Sequence, residues 1–207
     1  EAKREIMKLY GGFGWPTIFT YIRVFITAPF NHIEPHVPKD GFIIDLGCGY
    51  GIFANLLGLI SDKRRILGID MDEYKMQHAN KGLKNVEFKI ADITKTDLPP
   101  ADCVLLIHVL HHLDSYEAQE PLLRVCCQKL KLNGKLIIAE VDRWPRWKFV
   151  LTQIADRILY KFHRPYYPFP EKIIPILERL GLRVSVYRDH HVGTPFSHIT
   201  YVCTKQQ

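Results

Sequence analysis

"IIDLGCGYGIF", residues 43–53, decides the fold. An apolar β-branched run ending in Asp45 leads straight into glycines at positions 47, 49 and 51, and a helical pattern follows at once. A strand, a glycine-rich turn and a helix N-terminus in that order bring free backbone N–H groups to bear on a ligand, which suits anionic or strongly polar groups. Gly47, Gly49 and Gly51 are therefore candidate cofactor residues, with Asp45 and Cys48 beside them. The dinucleotide fingerprint G-x-G-x-x-G needs glycine or alanine at position 52, where this chain has Ile52. Asp45, two residues ahead of the first glycine, is a poor neighbour for pyrophosphate and a good one for an ammonium group. Read alone, the turn also fits a purely structural role.

Beyond this unit, strands are predicted at 42–46, 65–70, 86–90, 102–108 and 135–141, with helices at about 51–60, 72–82 and 115–130. Repeated strand–helix units predict a doubly wound, mostly parallel α/β sheet. Asp114 with Glu117 has capping-box spacing for the third helix, whose first turn Pro121 would disturb. In "RWKFVLTQIADRILYKF", residues 146–162, Trp147, Val150, Leu151, Ile154 and Ile158 fall at helical spacing, predicting an amphipathic helix lying on the body. A helix at 170–180 stopped by Gly181 precedes strands at 182–188 and 197–204. The short connection between them predicts antiparallel pairing, because a parallel crossover needs a dozen residues or more.

The N-terminal forty residues differ. Ile18, Tyr21, Ile22, Phe25 and Ile26 form one helical stripe, yet Phe19, Val24 and Phe30 are apolar on other sides. A helix apolar almost all round must be covered on more than one face, whether by the domain, a greasy ligand, a partner or lipid. The organisation expected is one domain: a helical lid at 1–40, a cofactor-binding core at 41–142, a substrate-side helical insertion at 143–181 and a final strand pair at 182–207.

Two further acids fall at strand ends. Asp70 lies 23 residues after Gly47, the spacing at which an acid meets a ribose diol in doubly wound folds. Asp92 follows the third strand, placed to accept from an adenine amine, with Met71 and Ile93 as apolar neighbours of the ring. Ammonium, ribose and adenine in that order describe S-adenosylmethionine. The local alternatives are a helix cap for Asp70, shared with Asp72, and a turn cap before Thr94 for Asp92.

Residues 42–142 resemble the class I S-adenosylmethionine-dependent methyltransferases of the small-molecule branch. "DLGCGYG" is similar to their first motif, "GIDMD" to their ribose-binding acid, "ADIT" to their adenine-side acid and "DCVLLIHVLHHL" to their fourth strand and turn. "LKLNGKLIIAE" resembles the turn and fifth strand, with Asn133 where proline or glycine is common. The resemblance implies a seven-stranded sheet with an antiparallel last strand, S-adenosylmethionine as cofactor, and the "HVLHHL" turn beside the methyl group. His108 and His111 become the catalytic candidates, with proton transfer and packing both open; His108 also borders the cofactor and His112 the substrate. The resemblance further implies that the N-terminal segment and the insertion cover the acceptor. Tyr10, Phe13, Trp15, Phe19, Tyr160, Tyr166, Tyr167 and Phe169 could then line an apolar pocket, with Arg143 or Arg164 for an acid group. Such a wall suits a small aromatic or lipid-like acceptor methylated at oxygen or carbon. His190, His191 and His198, around the last hairpin, read as surface or hairpin residues. No metal is expected, since Asp142 has no following Asn.

Composition bounds the rest. At 207 residues, 47% hydrophobic and 24% charged, the chain is ordinary globular material. No apolar stretch reaches the roughly 18–20 residues of a spanning helix. Five cysteines without CxxC spacing point to a reducing, cytoplasmic setting. The chain opens on Glu1 rather than Met, which leaves room for a missing targeting segment. Net charge is +6, but "KRR" at 63–65 and "KLKLNGK" at 129–135 are short and not interleaved with aromatics, which argues against nucleic acid. The absence of an Asn/Asp-Pro-Pro-aromatic tetrapeptide after the fourth strand argues the same way for base methylation. Aromatic and basic residues at the entrance do permit peripheral membrane contact. Competing classes are a non-catalytic module with the same fold and a nicotinamide dehydrogenase, the latter disfavoured by Ile52.

Overall fold

β-Branched runs buried on both faces make the centre of this molecule. The computed structural model describes residues 2–12, 14–27, 29–159, 165–189 and 195–206, so Phe13, Tyr160, Arg164, His190 and His191 lie outside the described residues. Seven strands form one sheet: β1 (Gly41–Leu46), β2 (Arg64–Asp70), β3 (Val86–Ile90), β4 (Ala101–Ile107), β5 (Leu130–Val141), β6 (Leu182–Asp189) and β7 (His198–Lys205). Their order is β3-β2-β1-β4-β5-β7-β6. β1 to β5 pair in parallel, and β7 runs antiparallel to both neighbours.

Alternation along the central strands feeds two cores. Ile44, Val104 and Ile138 face α6 (Tyr116–Lys129) and α8 (Pro170–Arg179), meeting Leu123 and Leu177. Ile43, Leu105 and Ile137 face α1 (Ala2–Leu9), α3 (Phe30–Ile33) and α4 (Ile52–Ile60), meeting Ile6, Ile33 and Leu57. Strand order reverses between β1 and β4, so a crevice opens beyond their C-terminal ends, where ligands of doubly wound sheets bind.

Several local expectations shift. α6 is capped by Ser115, whose Oγ accepts from Ala118 N, because Ser115 rather than Asp114 holds the extended backbone that a cap requires. α5 (Glu73–Ala79) is capped by Asp72, which accepts from Lys75 N, so Asp70 is released from that role. β5 begins at Leu130, five residues early. Its first pair, Ala101 with Leu130, is separated from the main register by a turn in which Asn133 takes φ 61°. Asparagine tolerates that left-handed conformation better than most side chains, which explains it at this turn. Within "KRR", Arg64 is buried and hydrogen-bonds Pro38 O, Leu57 O and Glu34, so its charge is spent inside the fold.

The helix α7 (Arg146–Leu159) forms as expected but faces the other way. Trp147, Val150, Leu151 and Ile154 are exposed, while Lys148 and Thr152 are buried; the side chain of Ile158 lies outside the described ones. α2 (Trp15–Ile22) continues into a π-helical turn, Arg23–Thr27. Its apolar sides divide: Val24 joins the core, Phe19 and Ile22 border the crevice, and Ile18, Tyr21 and Phe25 are exposed.

Candidate functional site

The crevice is a cleft of about 600 Å³ running from the glycine turn to the histidine turn after β4. At its first end Gly47, Gly49 and Gly51 all take positive φ. Two of them are fixed by the protein's own packing. A Cβ on Gly51 would sit 2.6 Å from the Phe88 ring and 2.9 Å from Ala79 Cβ, and one on Gly47 2.7 Å from Val109 Cγ2. Only Gly49 looks into open space, with Lys75 Cδ nearest at 3.8 Å. Gly51→Ala therefore combines left-handed strain with overpacking, and is expected to cost about 2–4 kcal/mol, read as a lowered urea midpoint.

Four of the turn's N–H groups are engaged inside the fold rather than left free for a ligand. Gly47 N and Cys48 N donate to Ile69 O, Gly51 N to Cys48 O, and Gly49 N to Asp70 Oδ2 at 2.7 Å. The loop closes onto β2, and what it offers the cleft is space at Gly49 and carboxylates. Asp70 Oδ1 also accepts from Asp72 N. Asp92 lines the cleft while accepting from both Thr94 N and Thr94 Oγ1 and pairing with Lys95. The Thr94 hydroxyl and Lys95 hold its carboxyl down at about 2. Cys48 lies against Met76, and burial followed by Asp45 pushes its thiol well up, so it is no nucleophile.

Asp45 is buried, and burial followed by the charge of Asp70 pushes its carboxyl up to about 7. The folded state thus holds a proton that the unfolded chain, titrating near 3.9, has lost. Stability falls as pH rises from about 4 to about 7, and the loss persists above that. Asp45→Asn is expected to melt above the parent at pH 8, with the difference vanishing at pH 4, in thermal unfolding followed by circular dichroism.

At the other end His108 takes φ 57°, rare for a residue with a side chain, and donates its N–H to Ala139 O. Its Nε2 is shut off from solvent with no hydrogen-bond partner among the described residues. Burial, then the charge of Arg23, pushes its imidazole well below the usual range. His198 meets it edge-on, ring centroids 5.0 Å apart, and is pushed down to about 3 by burial and Arg23. His111 is buried and places Nδ1 2.5 Å from Glu140 Oε2, while Glu140 Oε1 accepts from Val109 N and Leu110 N. His108, His111 and Glu140 also have metal-ligand spacing, their ligand atoms lying within 4.8 Å of one another. His111 Nδ1 and Glu140 Oε2 are bonded to each other, so the group is a hydrogen-bonded histidine–carboxylate pair with His108 beside it.

Residues 44–138 match the family described as "Methyltransferase domain", on a sheet of the seven-stranded order above. The chain has the fold of the class I S-adenosylmethionine-dependent methyltransferases and is similar to them in sequence over these residues. Trans-aconitate 2-methyltransferase of Klebsiella pneumoniae (strain 342) is 29% identical over 159 residues, covering 75% of this chain and 62% of that protein. The mitochondrial ubiquinone biosynthesis O-methyltransferase of Homo sapiens is 29% identical over 171 residues, 75% of this chain and 45% of that one. The chain thus spans less than two thirds of the length of these relatives. Human N-acetylserotonin methyltransferase in complex with SAM shares the fold, with TM-score 0.72 and 18% identity over 99% of this chain and 57% of that chain.

In this methyltransferase domain the cleft gathers Asp45, Gly47, Cys48, Gly49, Asp70, Met71, Asp92, Ile93, His108, His111 and His112, with Trp15 and Phe19 at its rim. Five expected wall residues stand elsewhere, among them Phe169, which caps the start of α8 under the Arg143 guanidinium. Tyr10 is buried behind the turn, donating to Tyr50 O and accepting from Asn55 Nδ2, so it braces α1 on α4. Arg143 pairs with Glu171 outside the cleft. Tyr167 stacks behind His111, and Tyr166 N donates to His111 O, so both hold the histidine turn from the rear. Gly51 lines nothing but its own packing contacts. His198, expected at the surface, is a buried wall residue because β7 inserts between β5 and β6. Arg23 and Glu140 were not singled out; the one sequence signal for Glu140 is a carboxylate inside the otherwise apolar "LIIAEV", which burial obliges to find donors.

Proposed function

We propose that the domain transfers a methyl group from S-adenosylmethionine to a small apolar acceptor, aromatic or lipid-like, at an oxygen. The observation that carries this is the continuity of one cleft from Asp45, Asp70 and Asp92 to the His111–Glu140 pair. The donor set fits the cofactor. Asp45 suits its ammonium group, and each Asp70 oxygen keeps a lone pair for a ribose hydroxyl beyond its backbone bond. Asp92 is ionised and can accept from the adenine amine, with exposed Met71 and half-buried Ile93 offering apolar surface to the ring. The bound sulfonium supplies an already activated methyl group. The chain's own task is to position an acceptor and take its proton.

Glu140 performs the orienting part. Its Oε2 accepts Nδ1–H of His111, which fixes the tautomer with the lone pair on Nε2 and stabilises the imidazolium that forms. An acceptor hydroxyl losing its proton to Nε2 gains the electron pair needed for in-line attack. Neutral His108 and His198, with the apolar side chains of Phe19, Ile22 and Phe30, keep that end dry. The O-methyltransferase among the relatives supports oxygen as the acceptor atom.

Isothermal titration with S-adenosylmethionine and its demethylated product, followed by methyl transfer to a phenol and a saturated alcohol of equal size, tests the reading. Binding of both cofactor forms and preference for the phenol is the expected result. Binding of neither form leaves a non-catalytic module.

A further inference from the structure

Two helices bordering the cleft are built inside out. On α7, Trp147 is 58% and Ile154 51% exposed, with Val150 and Leu151 on the same stripe, while Lys148 and Thr152 are 2% and 5% exposed. On α2, Ile18 and Tyr21 are each 53% exposed, with Phe25 one turn on, while Thr20 is fully buried. Both helices contribute to the cleft wall, through Phe19 and Ile22 on one side and Thr152 and Ala155 on the other. Apolar stripes turned to water on both sides of a cleft mark an interaction surface.

Charge selects the occupant. Residues 15–27 contain no acid, and α7 contains one, Asp156. Cations rim the apolar faces: Lys3 lies 5.4 Å from the Phe25 ring and Arg146 5.4 Å from the Trp144 ring. Lys3, Arg4, Met7, Lys8, Tyr21 and Phe25 line an open groove of about 700 Å³ between α1 and α2, in which Lys8 also pairs with Glu5. A second copy of the chain would set basic rim against basic rim. Apolar and aromatic side chains within a ring of lysine and arginine complement an anionic bilayer, whose acyl region takes the first and whose headgroups take the second.

We propose that the outer faces of α2 and α7 dock on an anionic lipid bilayer and hold the mouth of the cleft at its surface. The surface rests on its own observations; only the delivery of an apolar acceptor from the bilayer rests on the proposed function.

Sedimentation with equimolar phosphatidylcholine–phosphatidylglycerol vesicles, against phosphatidylcholine vesicles, tests it. Binding is expected to be about tenfold or more weaker on the neutral vesicles. The variant Ile18→Ser/Tyr21→Ser/Trp147→Ser/Ile154→Ser changes only outward side chains and is expected to lose a similar factor while melting like the parent. Lys3→Glu/Arg4→Glu, which leaves the apolar faces intact, should lose the preference for phosphatidylglycerol. Unchanged sedimentation of the serine variant, absence of binding by the folded parent, or a dimer that the serine substitutions split would each overturn the proposal. S-Adenosylmethionine titration is read separately, so a protein that sediments without binding it keeps this surface and loses the proposed function.

Discussion

Glu140→Gln is expected to lower kcat by about 10²- to 10³-fold while leaving S-adenosylmethionine affinity within about twofold. The side chain is fully buried and keeps its volume, so packing alone gives little reason for loss. The chemistry does. The carboxylate serves two backbone donors with Oε1 and His111 Nδ1 with Oε2. An amide has one acceptor oxygen. If that oxygen stays on Val109 N and Leu110 N, the NH₂ faces Nδ1, and the ring must carry its proton on Nε2, where it can no longer act as a base. If the amide turns, the backbone donors lose their acceptor and the turn that carries His108 and His111 is strained. His111→Ala should be slowed comparably, and the double variant no further than the slower single one, because the two residues act as a unit. Wild-type kcat in Glu140→Gln, or additive losses in the double variant, would remove the pair from the mechanism.

How much of this was legible in the sequence depended on whether a pattern fixes direction as well as type. Strand alternation with helices fixes the sheet, because a run such as "FIIDL" can be buried on both faces only in the middle of a parallel sheet. The glycine turn was legible as one end of the cleft, but three of its N–H groups serve Ile69 and Asp70 of β2, and two of its glycines make room for Phe88, Ala79 and Val109. Such partners are distant in sequence and leave no local mark. Periodicity gave the stripe of α7 without its facing: a helix with apolar residues at 147, 150, 151 and 154 can lay that stripe on the body or turn it outward. Placement by resemblance failed at Tyr10, Arg143, Tyr166 and Tyr167 for a related reason. Each lies in a segment beside the cleft, and what turned it away was a specific partner, Asn55, Glu171, Tyr116 and His111 respectively.

Asp70→Ala is expected to weaken S-adenosylmethionine binding by about 10- to 150-fold, corresponding to about 1.5–3 kcal/mol for charged hydrogen bonds to a ribose diol. The same substitution removes the acceptor for Gly49 N and Asp72 N, so part of the loss comes from the glycine turn itself. Asp70→Asn separates the two contributions. Its one oxygen can still serve Gly49 N, which should restore most of the melting temperature lost in the alanine variant, but without the charge it should restore little of the affinity. A second readout lies in Asp45, whose carboxyl is raised by burial first and by Asp70 next. With Asp70 gone, Asp45 keeps the burial contribution and loses the repulsion, so the fall in stability with rising pH should be smaller in Asp70→Ala than in the parent, after allowing for the constant cost of the loosened turn. Unchanged affinity in Asp70→Ala would assign this acid to bracing the loop alone, and the ribose would then have to be held by a different side chain of the cleft.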